Sequence, residues 1–347
     1  MAPVSAPAKV LVTGANGYVA VWVTKALLES GYSVRGTVRS ASKGEHLKKL
    51  FASYGDKLEL VVVADITKEG AFDEAVKGVD LVEHTASPFH LKSKTPDEVI
   101  VPALKGTVSV LESIKKYGTS VKRVIVTASV ASILQVPLLP NVFDESSWNE
   151  PSIKNCNELG DNANPMDMYC ASKTLAEKAA WDFVEKNKGS ISWDLVVLNP
   201  PYVYGATIQE VADTSSINTS MQEFYDRVIL GNMDDDGLAT NGNACVDIRD
   251  LAKAHVLAAQ KAEAGGERII ISSAPYYWQE FVDISNAVAP TLKLHKGNPG
   301  STKGKPYPCD FKNSKSARIL GLKYIPKEDM IRDVLIDFKQ RGWAQQI

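Results

Sequence analysis

Tyr169 and Lys173 stand four positions apart in MYCASK, residues 168 to 173, within a stretch that otherwise reads as an ordinary helix. Residues i and i+4 share one helix face, so a phenol and an ammonium point into the same space. A phenol with a pKa near ~10 can give or take a proton, and a neighbouring cation favours its ionised form. A second hydroxyl belongs with them. Ser129, in VTASV, ends the fifth apolar run of the chain, and ligands of open parallel sheets bind beyond the carboxyl ends of the strands. A lone serine there would serve as a turn or cap residue. Beside a phenol and an ammonium, it is a candidate to hold a reacting oxygen.

A candidate nucleotide site lies near the N-terminus. TGANGYVA places Gly14, Gly17 and Ala20 in a G-x-x-G-x-x-A spacing right after the first strand and right before a helix. Glycines there allow a tight turn and close backbone approach to a pyrophosphate, and Ala20 keeps the helix near the sheet. The next strand ends in TVRSASK with no carboxylate for a ribose 2′-hydroxyl. Arg39 and Lys43 offer two cations suited to a 2′-phosphate, which points to NADP (NADPH) as cofactor.

Those residues need a scaffold of alternating strands and helices. KVLVTG is a strand and YVAVWVTKALLESG a helix stopped by glycine. YSVRGTVR, KLELVVVAD, VDLVEHTA, KRVIVTAS and WDLVVLNP supply further strands, with helical stretches around 42–52, 70–77 and 96–117. Nearly continuous apolar strands separated by helices imply an α/β, doubly wound parallel sheet covered on both faces. Residues 132–163 read as loop, and the helix of Tyr169 starts near Pro165. Residues 204–245 read as irregular with a helix at 220–230, and an amphipathic helix closes the chain near 326–341. We expect residues 1–199 to form the cofactor domain and 200–347 mainly a substrate lobe, with some segments returning to the sheet.

Composition narrows the function. A hydrophobic fraction of 44% and a charged fraction of 23% are those of a folded globular chain. A net charge of −2 with dispersed lysines gives no field to recruit nucleic acid or an anionic membrane. No apolar run approaches the roughly 20 residues of a membrane helix, and the first residues lack a signal pattern, so a cytoplasmic protein is expected. The four cysteines are widely spaced, which suggests free thiols and no metal site.

TGANGYVA, TAS, YCASK, LNPPYVYG and VDIRDLAKAH occur in an order that resembles an extended short-chain dehydrogenase/reductase over residues 8–345. The resemblance is closest to fungal NADPH-dependent aldehyde and ketone reductases of the methylglyoxal type, relatives of dihydroflavonol 4-reductase and cinnamoyl-CoA reductase. It implies a Rossmann fold in which Tyr169 is the acid, Lys173 binds the nicotinamide ribose and, with the positive nicotinamide of the oxidised cofactor, lowers the phenol pKa, and Ser129 holds the carbonyl oxygen. It also implies that Gly14, Asn16, Gly17, Tyr18 and Val19 meet the pyrophosphate, and that Asp65 and Ile66 flank the adenine. Thr85, Ala86 and Ser87 would run along the ribose, with Pro200, Tyr202, Val203 and Ser220 near the nicotinamide. Where cinnamoyl-CoA reductases carry N-W-Y-C-Y this chain has MDMYCAS, which disfavours a CoA thioester. Phe89, Tyr202, Tyr204, Phe224 and Tyr225 are candidates to line an apolar substrate pocket.

The expected partner is a small carbonyl compound, with the chain a monomer or homodimer. Rival functions are an NAD-dependent nucleotide-sugar epimerase or dehydratase and a non-catalytic NADP-sensing regulator. Ser129, Tyr169 and Lys173 together favour catalysis. A charge-assisted phosphate contact contributes about 1.5–3 kcal/mol, so NADPH is expected to be preferred over NADH by at least ~10-fold. Arg39→Ala should raise the Michaelis constant for NADPH and leave that for NADH nearly unchanged in steady-state assays; equal use of both cofactors by the unmutated protein would contradict the assignment.

Overall fold

The computed structural model describes residues 3–87, 93–135 and 141–344. β1 (Lys9–Val12) leads through the glycine turn into α1 (Tyr18–Glu29), and β2 (Ser33–Val38) into the short α2 (Glu45–Leu50). β3 (Leu58–Val62), β4 (Leu81–His84), α3 (Asp97–Tyr117) and β5 (Arg123–Thr127) follow. β6 (Val142–Phe143) and α4 (Glu150–Leu159) precede α5 (Pro165–Lys186) and β7 (Asp194–Asn199). The second half supplies β8 (Tyr202–Tyr204), α6 (Thr219–Phe224), α7 (Asp235–Thr240), β9 (Gly242–Asp247) and α8 (Ile248–Gln260). It continues with β10 (Arg268–Ile270), β11 (Ala274–Tyr277), α9 (Trp278–Val288), β12 (Asp310–Phe311), α10 (Ser314–Leu320) and α11 (Lys327–Gln340).

Seven strands form one parallel sheet in the order β10-β7-β5-β4-β1-β2-β3. Strand order reverses between β1 and β4, and the crevice beyond their carboxyl ends is the ligand position of a doubly wound sheet. Burial on both faces explains the continuous apolar runs: Val10 and Val12 pack towards α1, while Leu11 packs towards α3. α1 and α8 cover one face and α3 and α5 the other. A separate three-stranded sheet, β11-β9-β8, borders the crevice. Among the described residues no helix is long and apolar enough to cross a membrane.

Three local expectations are corrected. Residues 132–163, read as loop, contain β6 and α4. Asn149 caps α4 by accepting from the Ser152 N–H at 3.1 Å, and Pro151 occupies its first turn. Only Ser152 and Cys156 of this helix are buried, so capping chemistry sets it and no strong apolar period announces it. Residues 70–77, read as helical, form successive turns in which Asp73 N–H bonds back to Gly70 and Val76 N–H to Phe72. Phe72 and Val76 are fully buried, so the apolar spacing is met by burial without a regular helix. The run NMDDDG, read as irregular, holds the start of α7, with Asp234 accepting from the Gly237 N–H at 2.8 Å.

The glycine turn rests on β2. Gly14 N–H donates to Thr37 Oγ1 at 2.9 Å and Ala15 N–H to the Thr37 carbonyl at 2.8 Å. Ala15 is fully buried there because Gly36 has no side chain; a Cβ on Gly36 would lie 2.7 Å from Ala15 Cβ. Overpacking such a site costs about 1–3 kcal/mol, and lifting the turn by that much would weaken nucleotide binding roughly 10-fold. Gly36→Val is therefore expected to lower both the thermal midpoint and the NADPH affinity, measured by calorimetry and fluorescence titration; unchanged affinity would show that the turn does not depend on β2.

Candidate active site

One cavity of about 390 Å³ runs from the glycine turn to α6. Its wall is built from the ends of β1, β4, β5 and β7, the first turn of α1, one face of α5, and the segment before α6. Gly14, Gly17, Tyr18, Val19, Thr85, Ser87, Ser129, Tyr169, Lys173, Pro200, Tyr202, Val203 and Ser220 all line it. Asn16 and Ala86 belong to the same two turns without lining the cavity, and Arg39, Lys43, Asp65 and Ile66 lie beyond its edge.

α5 begins at Pro165, where the Asn164 side chain accepts from the Asp167 N–H at 2.8 Å. Tyr169 and Lys173 then fall one turn apart, half-buried, on the face turned to the cavity. Ser129 lines the same wall, and its hydroxyl acts on the Tyr169 phenol in the direction of ionisation. Ser129 begins a single 3-10 turn, Val130–Ser132, and its Oγ accepts from the Ala131 N–H at 3.1 Å, so the serine proton is directed elsewhere. Lys173 Nζ lies 5.9 Å from the Tyr169 ring centroid and donates to Ser87 Oγ at 2.9 Å. The spacing in MYCASK thus brings an acid, a hydroxyl and a cation together.

Burial sets the protonation of both groups in the cavity wall. Burial pushes the Tyr169 phenol up to about 12, against the opposing pull of the Ser129 hydrogen bond. The protonated phenol, the form needed in a proton donor, is therefore the stable one across neutral pH. The same walls push the Lys173 ammonium down to about 8. Beside it, His84 is driven down to about 4 by burial and then by the Lys173 charge, so it stays neutral, paired with Thr13 Oγ1 at 3.0 Å. Cys170 adjoins Tyr169, but burial raises its thiol to about 12, leaving no thiolate to act as a nucleophile. All four cysteines are free and buried.

Three observations fit a dinucleotide. Gly17 precedes α1 without a side-chain cap, and the first turn carries no acidic residue, so its N–H groups and positive dipole end are available to an anion. Gly14 has φ +64, and a Cβ there would lie 3.1 Å from Ala86 Cβ, so only glycine lets the two turns approach. Asn218 Oδ1 is buried in the cavity wall without a hydrogen-bond partner, an acceptor matched to a carboxamide N–H. Beyond β2, Arg39 and Lys43 are exposed. Asp65 accepts from the N–H and hydroxyl of Thr67 at 2.9 and 2.7 Å, and Ile66 packs towards Gly106 of α3.

The aromatic pocket is largely overturned. Tyr204 and Phe224 are fully buried in a ring cluster with Tyr276, Trp278 and Phe281, where the Tyr204 and Tyr276 hydroxyls meet at 2.8 Å. Tyr225 packs its ring on Phe338 at 5.8 Å. Phe89 lies outside the described residues. Of the four described, Tyr202 alone reaches the cavity, its hydroxyl donating to Glu223 at 3.3 Å. The reason is physical: these large rings are taken up by the apolar core, in one cluster with Val10 and Val12 of β1. Sequence reasoning also missed wall residues. Val130 and Ala131 adjoin Ser129 and Asn218 and Thr219 adjoin Ser220, so proximity would have found them, whereas Leu134, Met166 and Asn243 carry no local signal.

Residues 10–272 match the NAD dependent epimerase/dehydratase family. The chain belongs to that family. It is 35% identical to the NADPH-dependent methylglyoxal reductase of Saccharomyces cerevisiae over 93% of this chain and 96% of the relative. It is 37% identical to a ketoreductase of Aspergillus niger over 96% and 98% of the two chains. The solved structure of the yeast methylglyoxal/isovaleraldehyde reductase complexed with NADPH superposes with a TM-score of 0.85 at 34% identity, covering 96% of this chain and 99% of that one. The extended short-chain dehydrogenase/reductase fold expected from the five motifs is thus the fold of the chain.

Lys173 gives a pH signature. A lysine is cationic below its pKa, so its charge is present at pH 7 and is lost as pH rises through about 8. NADPH affinity of the free enzyme should fall across that range. Lys173→Arg, permanently charged, should remove the inflection. Fluorescence titration of NADPH at several pH values checks this, and a flat profile in the unmutated protein would exclude Lys173 from cofactor binding.

Proposed function

We propose that this chain is an NADPH-dependent carbonyl reductase that converts aldehydes and ketones, including 2-oxoaldehydes, keto esters and aryl ketones, to alcohols. One observation carries the reading: Ser129, a protonated Tyr169 phenol and Lys173 line a single cavity with the glycine turn. Bound NADPH supplies a hydride. The residues of the chain do the rest.

Gly14 to Val19 and the α1 N-terminus hold the pyrophosphate, and Arg39 and Lys43 hold the 2′-phosphate. Asp65 and Ile66 flank the adenine. Lys173, with Thr85, Ala86 and Ser87, holds the nicotinamide ribose, and Pro200, Tyr202, Val203 and Ser220 border the carboxamide. Ser129 donates to the substrate carbonyl oxygen and fixes its direction. Tyr169 passes its proton to that oxygen as negative charge develops there, and recovers a proton afterwards. Donors already in place need no reorganisation during the reaction.

The relatives support this chemistry, since one is named for NADPH-dependent reduction of methylglyoxal and another as a ketoreductase. Cations in place of a carboxylate beyond β2 favour NADPH reduction over NAD-dependent epimerisation of a nucleotide sugar. MDMYCAS argues against a CoA thioester. We take the protein to be cytosolic and a monomer or homodimer.

An NADPH-oxidation screen against aldehydes, 2-oxoaldehydes, keto esters and aryl ketones tests the reading, followed by chiral chromatography of the alcohol. Pocket discrimination of one methylene is about 1–3 kcal/mol, so a broad range is expected, with mainly one enantiomer from a ketone of very unequal substituents. Tyr169→Phe should retain NADPH binding and lose roughly 100-fold or more in turnover. Turnover of nucleotide sugars alone, or a racemic product, would overturn the assignment.

A further inference from the structure

Glu177 is only 1% exposed and lies four residues after Lys173 and eight after Tyr169, on the same helix α5. Its carboxylate does not line the cavity, yet three side chains hold it, and two of them also bond to Ser129. Oε1 accepts from Arg268 Nε at 2.5 Å, and Oε2 accepts from Asn199 Nδ2 at 2.8 Å and from the Ser132 hydroxyl. Arg268, itself 7% exposed, also donates through Nη2 to Oε2 and to the Ser132 carbonyl, each at 3.3 Å.

The network ends on the residue that faces Tyr169. The Ser129 carbonyl accepts from Ser132 Oγ at 2.7 Å and from Asn199 Nδ2 at 3.2 Å. The single Ser132 proton serves either that carbonyl or Glu177, and the Asn199 amide bridges the two. Arg268 Nη1 meanwhile donates to the carbonyls of Glu145 and Ser147 at 3.0 and 2.5 Å, and its guanidinium stacks 3.7 Å from the Trp148 ring centroid. The segment before α4 is thereby held against the same carboxylate.

We propose that Glu177, paired with Arg268, is the positioning residue that sets Ser129 against Tyr169. Tyr169 is connected to Glu177 by two turns of α5, which is stiff. Ser129 is connected to it by Ser132 and Asn199. One carboxylate therefore references both hydroxyls of the reacting pair, and their separation is fixed by directional bonds. A buried ion pair contributes little net stability compared with an apolar pair of the same shape, because desolvation offsets the attraction. What an apolar pair lacks is direction. The groups facing Glu177 from the packed elements are all donors: Arg268 from β10, Asn199 from β7 and Ser132 from the turn after β5. Glutamine at this position must turn its amide towards one of them.

The assignment rests on the reductase reading, and its test separates the two. Glu177→Gln, and Glu177→Leu combined with Arg268→Met, are each made with Ser129 intact and with Ser129→Ala. Turnover of a 2-oxoaldehyde, the NADPH dissociation constant and thermal unfolding are measured. A misplacement near 1 Å costs up to about 100-fold in rate, so Glu177→Gln should lose roughly 10-fold to 100-fold in kcat with the NADPH dissociation constant unchanged. Ser129→Ala should then cost much less in the Glu177 variants than in the parent, because Ser129 is already displaced. Should Glu177→Gln fail to fold, the apolar double variant carries the test. Undiminished kcat in a folded variant, or an equal loss from Ser129→Ala in both backgrounds, would overturn the positioning role and leave Glu177 a stabilising residue only. An unmutated protein that binds NADPH but reduces no carbonyl overturns the reductase reading and this assignment with it.

Discussion

The cleft depends on one stripe of α5, along which a phenol, an ammonium and a buried carboxylate follow one another at four-residue spacing. An α-helix turns by 100° per residue, so each step of four advances the stripe by about 40°. Over eight residues it therefore passes from the cavity to the interior. Tyr169 and Lys173 face the space where chemistry can occur, and Glu177 faces the sheet, where Arg268, Asn199 and Ser132 hold it. The Asn164 cap fixes where the helix begins, and hence which residues fall on the stripe.

The two sides of the cavity solve opposite electrostatic problems with the same material. Around Tyr169, burial favours the neutral phenol and holds its pKa near 12. Around Lys173, burial also favours the neutral form, and the ammonium falls to about 8 while it donates to Ser87. Desolvation thus holds the proton on the phenol and loosens the proton on its neighbour. At the glycine turn the cavity wall is backbone. Gly14, Gly17 and Gly36 leave room for the main chain to pack closely, so uncapped N–H groups of α1 border the cavity.

Much of the fold and of the site was legible because its signals are local. The six strands expected from apolar runs are all present, since a strand buried on both faces must be apolar throughout. Tyr169 and Lys173 share a face because helical periodicity places them there, and the glycine turn joins β1 to α1 because Gly14 is needed at a positive φ. α4 escaped notice because Asn149 and Pro151 define it more than any apolar stripe does. Residues 70–77 misled because Phe72 and Val76 satisfy their burial in turns.

Sequence alone determined the parallel sheet, the glycine turn, the order of the motifs and the phenol–ammonium pair, because each is set by residues within a few positions of one another. Tertiary structure alone decided that Tyr204 and Phe224 are buried in the core while Leu134, Met166 and Asn243 reach the cavity. It also decided that Arg268 meets Glu177 across 91 positions of sequence. Those outcomes depend on which distant surfaces pack together, and no local period or spacing encodes them. The pKa of Tyr169 belongs with them, because desolvation is a property of the closed cavity and not of the helix that carries the phenol.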